Sequence, residues 1–225
     1  MGYQIAIDGP AGAGKSTIAK LIAKQKNFIY VDTGAMYRAM ALFLLRSNIN
    51  ANDDEAVSLI CPKAEITIRY ENNEQIVLLN GENVNAYLRT EEVGLIASKS
   101  SANPKVREHL LGLQIKLAEE NDVVMDGRDI GTCVLPNANV KVFLTASSRI
   151  RAKRRYLELT ANNANEESPL DLDDIEQDII KRDNQDMSRE HAPLKQAADA
   201  VLVDTSDLTI EEVSALIIEI CGQKR

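Results

Sequence analysis

The 225-residue chain has no tryptophan, three phenylalanines, three cysteines and two histidines. With so few large rings its core must be aliphatic. Cys61, Cys133 and Cys221 are odd in number and far apart, so they build neither a disulfide framework nor a metal spacing. They read as buried reduced thiols in a reducing compartment. No apolar run approaches the roughly 20 residues that cross a bilayer. The chain enters a strand at once, without a basic segment or a long apolar stretch before it, which predicts a cytoplasmic protein without a secretory leader. Positive charge is also scarce: 26 Lys and Arg stand against 34 Asp and Glu, a net charge of −8. That balance excludes broad nucleic-acid binding, which needs many phosphate-neutralising cations. Neither His109 nor His191 sits among catalytic partners, so both read as surface or helix-end residues. Hydrophobic residues at 44% and charged ones at 27% are ordinary for a globular chain and exclude disorder.

What is present is an alternation. Short apolar runs at 3–8, 28–32, 122–126, 140–144 and 199–204 each end in a polar residue or turn, and helical periodicity fills most of the gaps. Ile18, Leu21 and Ile22 mark one helix, and Met36, Met40, Phe43 and Leu44 another. Asn103-Pro104 opens a third, with Val106, Leu110, Leu113 and Leu117 on its face. Thr209 to Glu212 fits a capping box ahead of Ile210, Val213, Leu216, Ile217 and Ile220. Strands alternating with helices predict a three-layer α/β fold around a parallel sheet covered on both faces. Glu65–Tyr70 alternates with period two, 75–79 is a second strand candidate, and Asn80-Gly81 is a hairpin signal. The segment at about 63–92 is therefore expected to be a small antiparallel insertion in one domain spanning 1–225. The polar tract 160–169 is expected to be a mobile loop tip between two charged helices, the second starting at Asp171.

Gly9-Pro10-Ala11-Gly12-Ala13-Gly14-Lys15-Ser16 fits G-x-x-x-x-G-K-[ST], after a strand ending at Asp8 and at the opening of a helix. Such a loop turns backbone N–H groups onto phosphates, and the helix N-terminus adds partial positive charge. Lys15 is expected at the β- and γ-phosphates of a nucleoside triphosphate, and Ser16 on Mg²⁺. The donor-binding set runs on to Thr17. The alternative is a glycine-rich turn without a ligand. A guanine-selecting Asn-Lys-x-Asp is absent, and the strand ending at Asp126 continues into Asp-Gly-Arg-Asp rather than paired acids. Arg149, Arg151, Lys153, Arg154 and Arg155 crowd one helix despite the negative net charge. Arg151, Arg154 and Arg155 share helical spacing suited to one phosphate group, though a solvated face accounts for any single one equally well. Phosphoryl transfer is chiefly positioning and neutralisation of spreading negative charge, and water must be kept from the γ-phosphate. A basic helix, a polar tip and a second charged helix at about 149–170 suit a helical lid. A kinase acting on a small anionic acceptor follows. Its rivals are kinases for adenylate, uridylate or an alcohol such as shikimate, and a nucleotide-binding regulator without an acceptor.

The segments Ile7 to Lys15, Asp32-Thr33-Gly34-Ala35-Met36-Tyr37-Arg38, Asp126-Gly127-Arg128-Asp129-Ile130-Gly131-Thr132 and Arg182-Asp183-x-x-Asp186 together resemble the bacterial cytidylate kinases, a P-loop nucleoside monophosphate kinase family. Ala192-Pro193-Leu194 and Ala197-Ala198-Asp199-Ala200 are also similar, and the likeness spans nearly the whole chain. The resemblance implies transfer of the ATP γ-phosphate to CMP or dCMP with Mg²⁺, by a monomer with no membrane or nucleic-acid partner. It implies that Ser98, Arg107 and Asp129 contact cytosine, and that Thr33, Tyr37, Arg182 and Asp186 lie near the ribose. Arg38, Arg128 and Arg189 are implied to hold the acceptor phosphate, while Arg151, Arg154 and Arg155 approach the transferring group. Thr33 stands where many members have serine, and Ser16 where some have glycine. The base assignment makes chemical sense. Cytosine offers an amino donor to a carboxylate and two acceptors to an arginine, and uracil reverses the first two of these groups.

Overall fold

The computed structural model describes residues 2–72, 74–162 and 171–223. The chain divides into two compact units, Met1–Gln4 with Ala23–Gly127, and Ile5–Ile22 with Arg128–Arg225. In the first, β2 (Ile29–Asp32) pairs in parallel with β6 (Val123–Gly127), whose five residues are all buried. In the second, β7 (Val140–Thr145) lies in parallel between β1 (Gln4–Asp8) and β8 (Val201–Asp204). The strand order β2-β6-β1-β7-β8 makes a five-stranded sheet. The expected apolar runs are these strands, because a parallel strand covered on both faces must be apolar almost throughout.

Helix α1 (Lys15–Lys26) follows β1, and α2 (Thr33–Arg46) follows β2 directly, capped by the Asp32 carboxylate accepting from the Ala35 N–H at 2.9 Å. α5 (Pro104–Glu120) starts as the Asn103-Pro104 signal requires, with Asn103 Oδ1 accepting from the N–H groups of Lys105 and Val106. Its buried stripe differs from the expected one. Gln114, 1% exposed, lies inside with Val106, Leu110 and Leu117, while Leu113 is only half-buried. Leu113 is seven residues from Val106 but only three from Leu110, and the stripe here advances by fours. α8 (Ile210–Gln223) carries the reciprocal capping box: Thr209 Oγ1 accepts from Glu212 N–H, and Glu212 Oε2 accepts from Thr209 N–H. Val213, Ile217 and Ile220 are buried, but Ile210 and Leu216 are exposed, so the apolar face is narrower than expected.

The insertion folds as expected into a separate antiparallel sheet of β3 (Ile66–Glu71), β4 (Glu74–Leu79) and β5 (Glu82–Asn83). Asn80 (φ 50°) and Gly81 (φ 82°) form the two-residue turn between β4 and β5, where both residues must be left-handed. Sequence periodicity did not reveal α3 (Asp54–Ile60), a 3₁₀ turn at Cys61–Lys63, or α4 (Glu91–Ser100) beside the insertion. α6 (Ser148–Asn162) and α7 (Leu172–Met187) are the two charged helices. The expected loop tip at 160–169 is corrected at its start, since 160–162 still belong to α6. Its remaining residues lie outside those described. Two further expectations are corrected. Cys133 is exposed, unlike the buried Cys61 and Cys221, and His109 is half-buried mid-helix with its Nε2 2.8 Å from Ala64 O.

Candidate active site

In the second unit, the loop between β1 and α1 takes its shape from glycines at positive φ. Gly9 sits at φ 145°, and a Cβ there would lie 2.0 Å from the Leu144 carbonyl oxygen of β7, so no side chain fits. Gly12 and Gly14 are also left-handed, at φ 76° and 87°. Lys15, 6% exposed, folds back over the loop and donates to Pro10 O at 2.7 Å. Ser16, in the first turn of α1, is half-buried, and Thr17 is exposed.

Asp8 ends β1, and its carboxylate accepts from the N–H groups of Ile130 and Gly131, both at 2.7 Å. Those amides open a π-helical turn, Ile130–Val134, that follows Arg128 and the buried Asp129. Burial is the chief force on Asp8. It raises the carboxyl from 3.8 to about 6, the Asp129 charge pushes the same way, and the two amides and Lys15 pull against it. An acid raised in the fold contributes stability that is fully present below about pH 4 and lost as pH climbs through about 6. Asp8→Asn loses one backbone bond at every pH but not this titration. Its stability relative to the parent is therefore expected to improve from about pH 4 to 6 and to level off above that, read by urea unfolding. A difference that stays level between those two pH values contradicts the assignment.

Arg128 Nε lies 2.8 Å from one oxygen of Asp186, and Arg189 donates to the other. Asp186 is 2% exposed at the C-terminal end of α7. Burial opposes its charge, but the guanidinium groups of Arg128, Arg189 and Arg182 outweigh that and hold its carboxyl below the usual range. Three arginines thus gather round one aspartate in a chain of net −8. Arg128, Arg182, Asp186 and Arg189, all expected at the site, are thus brought together.

The three arginines of α6 are not. Arg151, 5% exposed, donates to Ala146 O at 2.9 Å and Ala11 O at 3.0 Å, and pairs with Asp183 at 2.6 Å. It thereby ties α6 to the loop between β1 and α1. Arg154 donates to the Oγ1 and carbonyl of Thr205, just past β8. Arg155 is exposed and pairs with Glu158. The three arginines thus each have different partners here. α6 and α7 are tied by Ser148 and Arg149 to Glu176, and by Arg151 to Asp183.

In the first unit, Arg107 stacks its guanidinium 5.5 Å above the Tyr37 ring and donates to Ser101 O, while Ser101 Oγ donates to the carbonyl of Ser98. Tyr37, Ser98 and Arg107 therefore form one connected group on α2, α4 and α5. Arg38 folds towards the start of α2, where a Cβ on Gly34 would lie 3.5 Å from its Nη1. Thr33, 3% exposed, donates its hydroxyl to Asp126 O at 2.7 Å, and Tyr30 Oη donates to the Asp126 carboxylate at 2.8 Å. Sequence reasoning passed over Asp8, Tyr30, Gln75, Asp183 and Thr205. A signal existed for Asp8 and Thr205, because ligand sites of open α/β sheets gather at the carboxyl ends of strands.

A family model described as Cytidylate kinase matches residues 5–223. A cytidylate kinase of Carboxydothermus hydrogenoformans is 46% identical over 221 residues, covering 98% of both chains. One from Lactobacillus gasseri is 48% identical over 222 residues, covering 99% of this chain and 95% of its own. Among solved structures, a shikimate kinase from Bacteroides thetaiotaomicron is similar at a TM-score of 0.49 and 15% identity, covering 98% of each chain.

Proposed function

The chain belongs to the cytidylate kinase family and transfers the γ-phosphate of ATP to CMP or dCMP; from that premise we propose how its residues divide the work. The observation that supports the division best is the gathering of Arg128, Arg182 and Arg189 round Asp186. A triphosphate cradle alone does not call for it, and a second anionic substrate does. Gly9 to Thr17 wrap the ATP phosphates with backbone N–H groups, and Lys15 neutralises the β- and γ-phosphates. Arg38, Arg128 and Arg189 hold the acceptor phosphate. One of its oxygens attacks the γ-phosphorus as the bond to the β-phosphate bridging oxygen breaks, leaving ADP and CDP or dCDP. The arginines and Lys15 act as fixed counter-charges to the transferring group, which costs no reorganisation during the reaction. Arg151 acts on the loop's shape, while Arg154 and Arg155 come from α6, in the lid that spans about 149–170. The whole chain is one kinase domain with an insertion at about 63–92, working as a cytoplasmic monomer.

Mg²⁺ suits this donor set. Ser16 would hold it through a neutral hydroxyl in the first turn of α1, an oxygen ligand of the kind Mg²⁺ takes beside phosphates. When bound with ATP it screens the phosphate charge. No helix among the described residues is long and apolar enough to cross a membrane.

Cytosine is read by Asp129, which accepts from the amino group, and by Arg107, which donates to the ring acceptors with Ser98 beside it. Thr33, Tyr37, Arg182 and Asp186 surround the ribose. Uracil would leave both Asp129 and Arg107 facing like groups, and sites with unpaired buried polar groups reject wrong substrates by up to about 10⁴-fold. Initial rates with ATP–Mg²⁺ are expected to be far higher for CMP and dCMP than for UMP or AMP. Equal efficiency with UMP overturns the base assignment.

A further inference from the structure

The insertion does more than fill a gap. β2 stands at the end of the sheet order, with β6 on one side only. Ile29 sends its N–H to Asp122 O, on the β6 side, at 3.0 Å. Since peptide groups alternate along a strand, Tyr30 and Asp32 turn theirs to the opposite edge, where they need partners. Side chains supply them. Tyr70 Oη donates to Tyr30 O at 3.0 Å. The Gln75 carboxamide accepts from Asp32 N–H at 2.8 Å and donates to Asp32 O at 3.1 Å. A primary amide carries the same donor and acceptor as a peptide group, so Gln75 stands in for one residue of a missing neighbouring strand. Tyr70 on β3 and Gln75 on β4 are directly opposed in register, so they project from one face of the hairpin as a pair.

The strand end they grip, Tyr30 to Asp32, matters. Asp32 is the N-cap of α2, and Thr33, the first residue of that helix, is pinned to Asp126 O. Tyr37 and Arg38 follow within the next turn. The geometry points to Tyr70 and Gln75 as positioning residues for the acceptor nucleotide: by clamping the end of β2 they set the start of α2, and with it Tyr37 and Arg38. This rests on the reading that α2 carries acceptor-binding side chains. Neither residue touches substrate in this account. Gln75 acts through Asp32 and Tyr70 through Tyr30, and through the hairpin they make acceptor affinity depend on a segment distant in sequence.

The test is steady-state kinetics with CMP and ATP varied independently, alongside thermal melting, on Gln75→Met and Tyr70→Phe. Gln75→Met keeps length and apolar area while removing both hydrogen bonds. Its KM for CMP is expected to rise about tenfold, with kcat and the KM for ATP within about twofold. Tyr70→Phe deletes a single hydroxyl and is expected to raise the same KM about threefold, which keeps the test open if the first variant folds poorly. A lowered melting temperature with an unchanged KM for CMP in both variants overturns the inference, leaving the pair as hairpin stabilisers. A parent protein that turns over no CMP overturns the underlying reading before any variant is compared.

Discussion

Replacing Lys15 with alanine is expected to lower kcat by roughly 10²–10³-fold, the scale seen when one preorganised donor to a developing negative charge is removed. The side chain is held for that task. It is 6% exposed, lies over the loop, and places its ammonium group 2.7 Å from Pro10 O. A cation already fixed there meets the γ-phosphate charge as it spreads, whereas water would first have to reorganise. CMP binding, measured calorimetrically without ATP, is expected to change by less than about twofold, because this lysine contributes to the transferring group rather than to the acceptor. Lys15→Arg is not a conservative rescue, since a planar fork cannot replace a compact ammonium in a closed loop. An alanine variant with near-parental kcat removes Lys15 from the phosphate clamp.

Asp186→Ala carries the largest expected loss of stability. Asp186 is 2% exposed and Arg189 6% exposed by side chain, while Arg128 is 21% exposed. Without the carboxylate, Arg128, Arg182 and Arg189 lose the negative charge they gather round. Breaking a buried charge cluster by removing one partner costs about 3–5 kcal/mol, somewhat less where a member reaches solvent, as Arg128 does. In a chain of this size that corresponds to a fall of about 6–20 °C in Tm. Calorimetry with and without CMP gives both the loss and its partial recovery, since a bound phosphate restores counter-charge to the arginines. The pH dependence fixes the sign. An acid held below its ordinary 3.8 contributes stability above that value and loses it as pH falls through the lower folded value. The difference between parent and variant is therefore expected to be flat near neutrality and to shrink only in strong acid. A loss under about 1 kcal/mol, typical of an exposed ion pair, contradicts the clustered arrangement.

The sheet strands were legible as short apolar runs, most plainly β1 and β6, which are buried throughout. The loop was legible because its glycines, lysine and serine have no common structural use in that order. Caps at Asn103 and Thr209 were equally plain, since a helix end must find partners within three residues of itself. Arg128 with Asp186, and Arg107 with Tyr37, were named as site residues separately, but nothing local joined them. Gln75 lies 43 residues from Asp32, and Tyr30 lies 96 from Asp126. Arg151 was expected to approach the transferring group, and its buried contacts with Ala11 O and Asp183 were not legible in the sequence.

The order of side chains along the chain was enough to determine the class of fold, because periodicity and caps act over a few residues, and its motifs carried the likeness to the family. The tertiary structure alone decided which buried charges neutralise one another, which arginines face the loop, and what covers the open edge of β2. Those outcomes depend on residues far apart in the chain meeting where water is excluded, and no short-range pattern encodes such a meeting.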